Sequence, residues 1–194
     1  MKVGRNKFEV VLMLNRQEIE RLIKEKELIT GYLNLDIQLT PNGFDLTASS
    51  VFEFIDSGAL DFSNKERVIP QTKVLKPRMK NPQDKSRTCE QVRDKFGWWN
   101  LQKGAYKIKT NEDFNLPKYL VVIAFPRSSL LRMGAFTQTA VWDAGFKGKS
   151  EFILVVENPR GIRLKQNARV VQAIFIRINK TDIGYKGIYQ MTQH

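Results

Sequence analysis

The chain carries one cysteine, Cys89, and one histidine, His194, its last residue. A lone cysteine forms no intrachain disulfide, and a zinc centre needs several Cys or His ligands. The same scarcity excludes zinc-dependent base deamination and every mechanism built on a Ser–His or Cys–His couple inside the fold. Chemistry is left to carboxylates, hydroxyls, Lys, Arg or an oxygen-bound metal. Also missing are an apolar run near the ~18 residues of a membrane span, a cleavable leader pattern among the first residues, an internal repeat and a low-complexity tract. The expectation is a cytoplasmic protein with no membrane partner.

What is present is a strongly basic, aromatic-rich chain. Lys plus Arg number 32 against 20 Asp plus Glu, a net charge of +12 and a pI near 9.9, so a polyanion is the natural partner. Nucleic acid and a nucleoside triphosphate both qualify, and charge alone does not choose. Three Trp, five Tyr and twelve Phe in 194 residues argue for one globular domain with a real core rather than a disordered chain.

Asn15 and Glu18 have the spacing of a capping box, and Ile19, Leu22 and Ile23 make an apolar stripe at helical period, which predicts a short helix over residues 16–27 packed on the body of the protein. Beyond Thr30 the texture changes to short apolar or alternating runs at 33–39, 44–48, 118–125, 152–156 and 170–178. Clusters such as Pro41-Asn42-Gly43 and Asn158-Pro159-Arg160-Gly161 punctuate them. Many short strands and one helix predict an all-β barrel or jelly roll.

Residues 65–103 form a long basic excursion with Lys73, Lys76, Arg78, Lys80, Lys85, Arg87, Arg93 and Lys95, three prolines, and Trp98-Trp99 near its end. Cations interleaved with aromatics suit a nucleic-acid backbone and stacked bases. A surface insertion anchored by its two tryptophans to the body or to a neighbouring subunit explains the same residues.

Polar residues sit among turns where a β domain has no structural need for them. Pro126-Arg127-Ser128-Ser129-Leu130-Leu131-Arg132 places two cations around paired hydroxyls, a phosphate-binding set, although a serine-capped helix start uses the same letters. Asp143-Ala144-Gly145-Phe146-Lys147-Gly148 brings a carboxylate and an aromatic into a glycine-rich turn. An ordinary hairpin accounts for those residues equally well. Asn42-Gly43-Phe44-Asp45-Leu46 and the aromatic tail Tyr185-Lys186-Gly187-Ile188-Tyr189-Gln190 complete the set.

In this order, these segments resemble the dUTPase and dCTP deaminase superfamily, its archaeal-type members in particular. Ala168-Arg169-Val170-Val171-Gln172-Ala173-Ile174-Phe175 is similar to that superfamily's fourth motif, so the likeness runs from the first helix to Gln190. The resemblance implies a distorted jelly-roll β-barrel, a homotrimer with active sites at subunit interfaces, and zinc-free chemistry on pyrimidine deoxynucleoside triphosphates. It also implies site roles. Asp45 would hold a hydrated Mg2+, and Asp143 would activate the water that attacks the α-phosphorus. Arg127, Ser128, Ser129, Arg132 and Gln172 would bind phosphates. The backbone around Ala140 would read the base, and Phe146 would pack on the sugar. Tyr185, Lys186, Tyr189 and Gln190, in a closing tail over residues 179–194, would cover the bound nucleotide.

Two reactions are implied within the superfamily: cleavage of dUTP to dUMP and pyrophosphate, and deamination of dCTP. In deaminases a glutamate stands three residues before the Asn that matches Asn158. Here that position is Val155, which cannot shuttle a proton. Val141-Trp142 replaces the deaminase His-Arg pair, and Phe146 a tyrosine often found in dUTPases. A glycine-rich dUTPase tail is absent. The reading is a Mg-assisted dUTP diphosphatase, with a dCTP deaminase or bifunctional enzyme as the alternative, its base being Glu151 or Glu157 turned inward through a bulge, and a nucleic-acid-binding barrel as a further one.

Overall fold

A computed structural model describes residues 12–79 and 96–191. Along the chain come α1 (Arg16–Lys26), β1 (Ile29–Thr30), α2 (Leu35–Gln38), β2 (Leu39–Thr40), β3 (Gly43–Phe54), β4 (Thr72–Leu75) and β5 (Trp98–Leu101). Then follow β6 (Gly104–Asn115), β7 (Leu120–Pro126), α3 (Ser128–Arg132), β8 (Ala135–Gln138), β9 (Lys147–Val156), β10 (Ile162–Lys165) and β11 (Arg169–Arg177).

The capping box forms as its spacing predicts. Asn15 Oδ1 accepts from the Glu18 N–H at 3.0 Å and Glu18 returns the bond to the Asn15 N–H at 3.2 Å, which satisfies two donors at the helix start. The helix stops at Lys26 because Glu27 turns left-handed at φ 51°. Ile19, Leu22 and Ile23 are buried, each contributing roughly 1.5–3 kcal/mol relative to exposure.

Six antiparallel strands run in the order β7-β11-β3-β6-β9-β8. The two outer edges meet: the Val122 and Trp142 backbones exchange hydrogen bonds at 3.0 Å each way, just past the end of β8, so the sheet is nearly closed on itself. Closure removes most of the exposed edge a sheet would otherwise present. Alternate residues such as Phe152, Leu154 and Val156 point inward, meeting Phe44, Ile108, Val122 and Phe175. Phe114 stands edge-on to Trp142 at 5.5 Å and to Phe175 at 5.9 Å.

The expected β-barrel with its N-terminal helix is the fold, joined by the two short helices α2 and α3, and three local expectations change. The alternating run at 33–39 is a capped turn rather than a strand. Asn34 Oδ1 accepts from the Ile37 N–H and Gln38 Oε1 accepts from the Leu33 and Asn34 N–H groups, so side chains compete successfully with strand pairing. The irregularity facing β9 lies on β6: Lys109 pairs with Glu151 and Asp113 with Lys149, so the two surplus residues are on β6 and no bulge reorients β9. Finally, the two tryptophans of the basic excursion divide their roles. Trp99 is buried and its indole N–H donates to the Leu75 carbonyl at 2.7 Å, tying β5 to β4, whereas Trp98 faces a cavity. Cys89, His194 and the cations at Lys80, Lys85, Arg87, Arg93 and Lys95 lie outside the described residues.

Candidate active site

At Pro126 the β7 ladder ends, since proline brings no N–H. The next residue, Arg127, stays extended, with its N–H on the Val170 carbonyl at 3.1 Å. The five-residue α3 begins after it with no side-chain cap, so neither serine serves as the cap. Ser128 Oγ instead accepts from Arg132 Nη1 at 3.1 Å, which turns Arg132 along the helix. Arg127 and Ser129 line a cavity of about 510 Å3 together with Gln38, Thr47 and Arg169.

Behind that cavity lies Asp45, only 2% exposed. Its Oδ2 accepts from Arg127 Nε at 3.0 Å and from Arg169 Nη1 at 3.1 Å. Arg169 also donates to the Ile37 carbonyl at 2.9 Å. Burial pushes the Asp45 carboxyl above the usual range, and the charges of Arg127 and then Arg169 pull it back. Arg169 belongs to the fourth segment, where Gln172 alone drew attention, yet Arg169 is the residue that reaches the cavity. Gln172 stands opposite Asp45 in the β3–β11 register and donates to Thr40 Oγ1 at 2.7 Å, away from the lining. The first segment needs its glycine because a Cβ on Gly43 would fall 2.5 Å from the Ala173 carbonyl oxygen.

Glu112 is a functional-looking residue that no pattern announced. It sits in the β6 irregularity and is 1% exposed. Its carboxylate accepts from the Thr47 N–H at 2.9 Å, Thr47 Oγ1 at 2.6 Å and Gln38 Nε2 at 2.7 Å, with no cation beside it among the described residues. Burial raises its pKa, against the pull of those donors. Gln38 passes the constraint on, donating also to the Asp45 carbonyl at 2.9 Å.

A second cavity, about 760 Å3, is lined by Ala140, Asp143, Phe146, Tyr185 and Tyr189. The turn is closed by the Phe146 N–H donating to the Asp143 carbonyl at 3.0 Å. Gly145 has φ +86°, and a Cβ there would meet Gly184 at 3.0 Å, so only glycine allows the tail so close. Here the tail docks. The Tyr185 N–H donates to the Ala144 carbonyl at 2.8 Å, its ring stands edge-on to Phe146 at 5.5 Å, and Gln190 bonds to the Gly145 carbonyl and the Lys147 N–H. Lys186 is exposed and lines neither cavity. Asp143 makes no ion pair among the described residues. Glu151 lines the same cavity but is paired with Lys107 at 3.1 Å, and Glu157 with Lys103 at 2.8 Å; Val155 lies between Ala105 and Phe136 on the neighbouring strands.

The proposed residues thus fall into two groups: Arg127 and Ser129, backed by Asp45, and Asp143 with Ala140, Phe146 and the tail. Among the described residues none lines both cavities. Among the described residues no cluster of three or more His, Cys, Asp or Glu could hold a bare metal ion. Asp45 Oδ1, however, accepts no hydrogen bond among them, which fits a cation held through water rather than directly. No described helix is long and apolar enough to cross a membrane.

Residues 13–178 match the family model described as dCTP deaminase-like. A Methanosarcina mazei protein described as a probable deoxyuridine 5'-triphosphate nucleotidohydrolase is 41% identical over 92% of this chain and 96% of its own. An Archaeoglobus fulgidus protein of the same description is 40% identical over 92% and 95%. The deoxyuridine 5'-triphosphate nucleotidohydrolase of Methanocaldococcus jannaschii is 31% identical over 79% and 87%. Among solved structures, the 2'-deoxycytidine 5'-triphosphate deaminase of Agrobacterium tumefaciens superposes with a TM-score of 0.60 at 20% identity over 86% of this chain. The chain spans about half, 48%, of that structure's length, so the likeness is one of fold.

Proposed function

The chain belongs to the dCTP deaminase-like family, and we propose that within it this protein is a dUTP diphosphatase, converting dUTP to dUMP and pyrophosphate. One observation carries the reading: Asp143 presents a carboxylate with no ion-pair partner among the described residues to the cavity that Phe146 and Tyr185 wall, while Glu151 beside it is bound to Lys107. The archaeal relatives named above support the same substrate.

In this reading the Asp143 carboxylate takes a proton from a water whose oxygen attacks the α-phosphorus. A bond forms between that oxygen and phosphorus, the bond to the α–β bridging oxygen breaks, and pyrophosphate carries the electron pair away. Arg127, oriented by Asp45, and Ser129 neutralise phosphate oxygens, where a pre-placed donor is commonly worth ~10²-fold in rate. Mg2+, when bound with the triphosphate, supplies further charge, and Asp45 Oδ1 would hold it through water. The Phe146 ring leaves no room for a 2′-hydroxyl, and the turn backbone from Ala140 onward pairs with the uracil edge. Tyr185, Tyr189 and Gln190 close over the site and exclude water.

The separation of the two groups supports the expected homotrimer. A base and its triphosphate must meet both groups at once, and one chain keeps them in different cavities. Apposing the Asp143 cavity of one copy to the Arg127 cavity of the next unites them. Hydrolysis in ¹⁸O-labelled water tests the chemistry: label in dUMP supports attack at the α-phosphorus, and label in pyrophosphate overturns it.

A further inference from the structure

The wall of the Arg127 cavity includes β5 and β10, whose pairing sets Lys165 opposite Trp98 and Arg163 opposite Asn100. Arg163 and Lys165, two apart on β10, share one face of the strand, so both reach the same indole. The Arg163 guanidinium lies 4.8 Å from the Trp98 ring centroid and the Lys165 ammonium 5.7 Å from it. Stacking fixes the plane of a guanidinium while leaving its N–H groups unspent. Arg163 makes no ion pair or hydrogen bond through that group among the described residues, unlike Arg127 and Arg169, which share Asp45. The Trp98 indole N–H is buried and has no acceptor among the described residues. Among the described residues the cavity lining includes Arg127, Arg163, Lys165 and Arg169 and no carboxylate. The unspent, oriented guanidinium of Arg163, on a described lining whose charged members are all cations, makes an anion contact.

We infer that Arg163, held on Trp98, is a further phosphate contact, engaging the distal phosphates of the nucleotide that leave as pyrophosphate. The inference rests on the dUTP reading for its ligand. It assigns to Arg163 the discrimination of a triphosphate from a monophosphate, because a monophosphate has nothing to place against this wall.

The test uses the full chain with inorganic pyrophosphate, dUMP and dUTP as probes. Arg163→Gln should weaken pyrophosphate binding, measured by titration calorimetry, about tenfold. It should raise KM for dUTP similarly and leave dUMP affinity and the thermal midpoint unchanged. Trp98→Ala should reproduce part of the loss, and Arg163→Lys should recover part of it. Wild-type pyrophosphate affinity and KM in Arg163→Gln would overturn the assignment while leaving dUTP hydrolysis standing. Conversely, a wild-type protein that ignores dUTP yet binds pyrophosphate through Arg163 would keep the anion contact and remove the nucleotide reading.

Discussion

Arg127 is oriented from behind by Asp45: Nε donates to Oδ2 at 3.0 Å, and the carboxylate is 2% exposed while the arginine keeps 31% of its side chain in solvent. One buried acid therefore aims a cation that still faces the cavity. Asp45→Asn should destabilise the protein by about 2 kcal/mol, less than the ~3–5 kcal/mol of a wholly buried pair, because both arginines remain hydrated. The same variant should raise KM for dUTP. Denaturant unfolding and steady-state kinetics on one preparation check both; an unchanged KM would separate Asp45 from phosphate binding.

Asp143→Asn should abolish turnover and retain nucleotide binding, since the amide keeps the shape of the turn and loses the proton acceptor. Asp143 is exposed and unpaired among the described residues, so its loss should cost little stability. Near-normal turnover would remove the general-base role.

Truncation before Tyr185 should raise KM and lower kcat without unfolding the barrel. The tail contributes an edge-on ring contact with Phe146 and backbone bonds to the 144–147 turn, and no strand of the sheet. Unchanged kinetics would exclude the tail from closure.

Glu112 makes a prediction in pH. Its carboxyl is raised above the ordinary 4.5 by burial, so the folded state holds its proton more tightly than the unfolded state does. The group's contribution is full below about pH 4.5 and is lost as pH rises through the raised value. Glu112→Gln removes an acceptor from three donors and should cost ~1–3 kcal/mol, with the deficit largest at acid pH and shrinking as pH rises. Thermal melts of both proteins across pH 4 to 8 read this directly, on the order-of-magnitude scale of linked protonation. A deficit that grows with pH would contradict the assignment.

Much of this was legible in the sequence because it depends on short-range chemistry. Asn15 and Glu18 cap the helix they predict, β-period runs fold as strands, and the glycines at 43 and 145 stand where backbones approach too closely for a Cβ. What escaped depends on side-chain partners that periodicity does not show. The 33–39 run alternates like a strand, but Asn34 and Gln38 satisfy the backbone locally. Glu112 shares the buried face of β6 with Ile108, Thr110 and Phe114, but the donors that hold it come from Thr47 and Gln38, far away in sequence. Arg163 and Trp98 are far apart in sequence, and only the β5–β10 pairing brings them together.

The measurement that bears most directly on the central claim is product analysis after incubation with dUTP and, separately, dCTP, each with Mg2+ and with EDTA. The account predicts magnesium-dependent dUMP and pyrophosphate from dUTP and unchanged dCTP. Conversion of dCTP to dUTP or dUMP would contradict it, because Val155 offers no proton shuttle and Glu151 would then have to leave Lys107 to serve as the base.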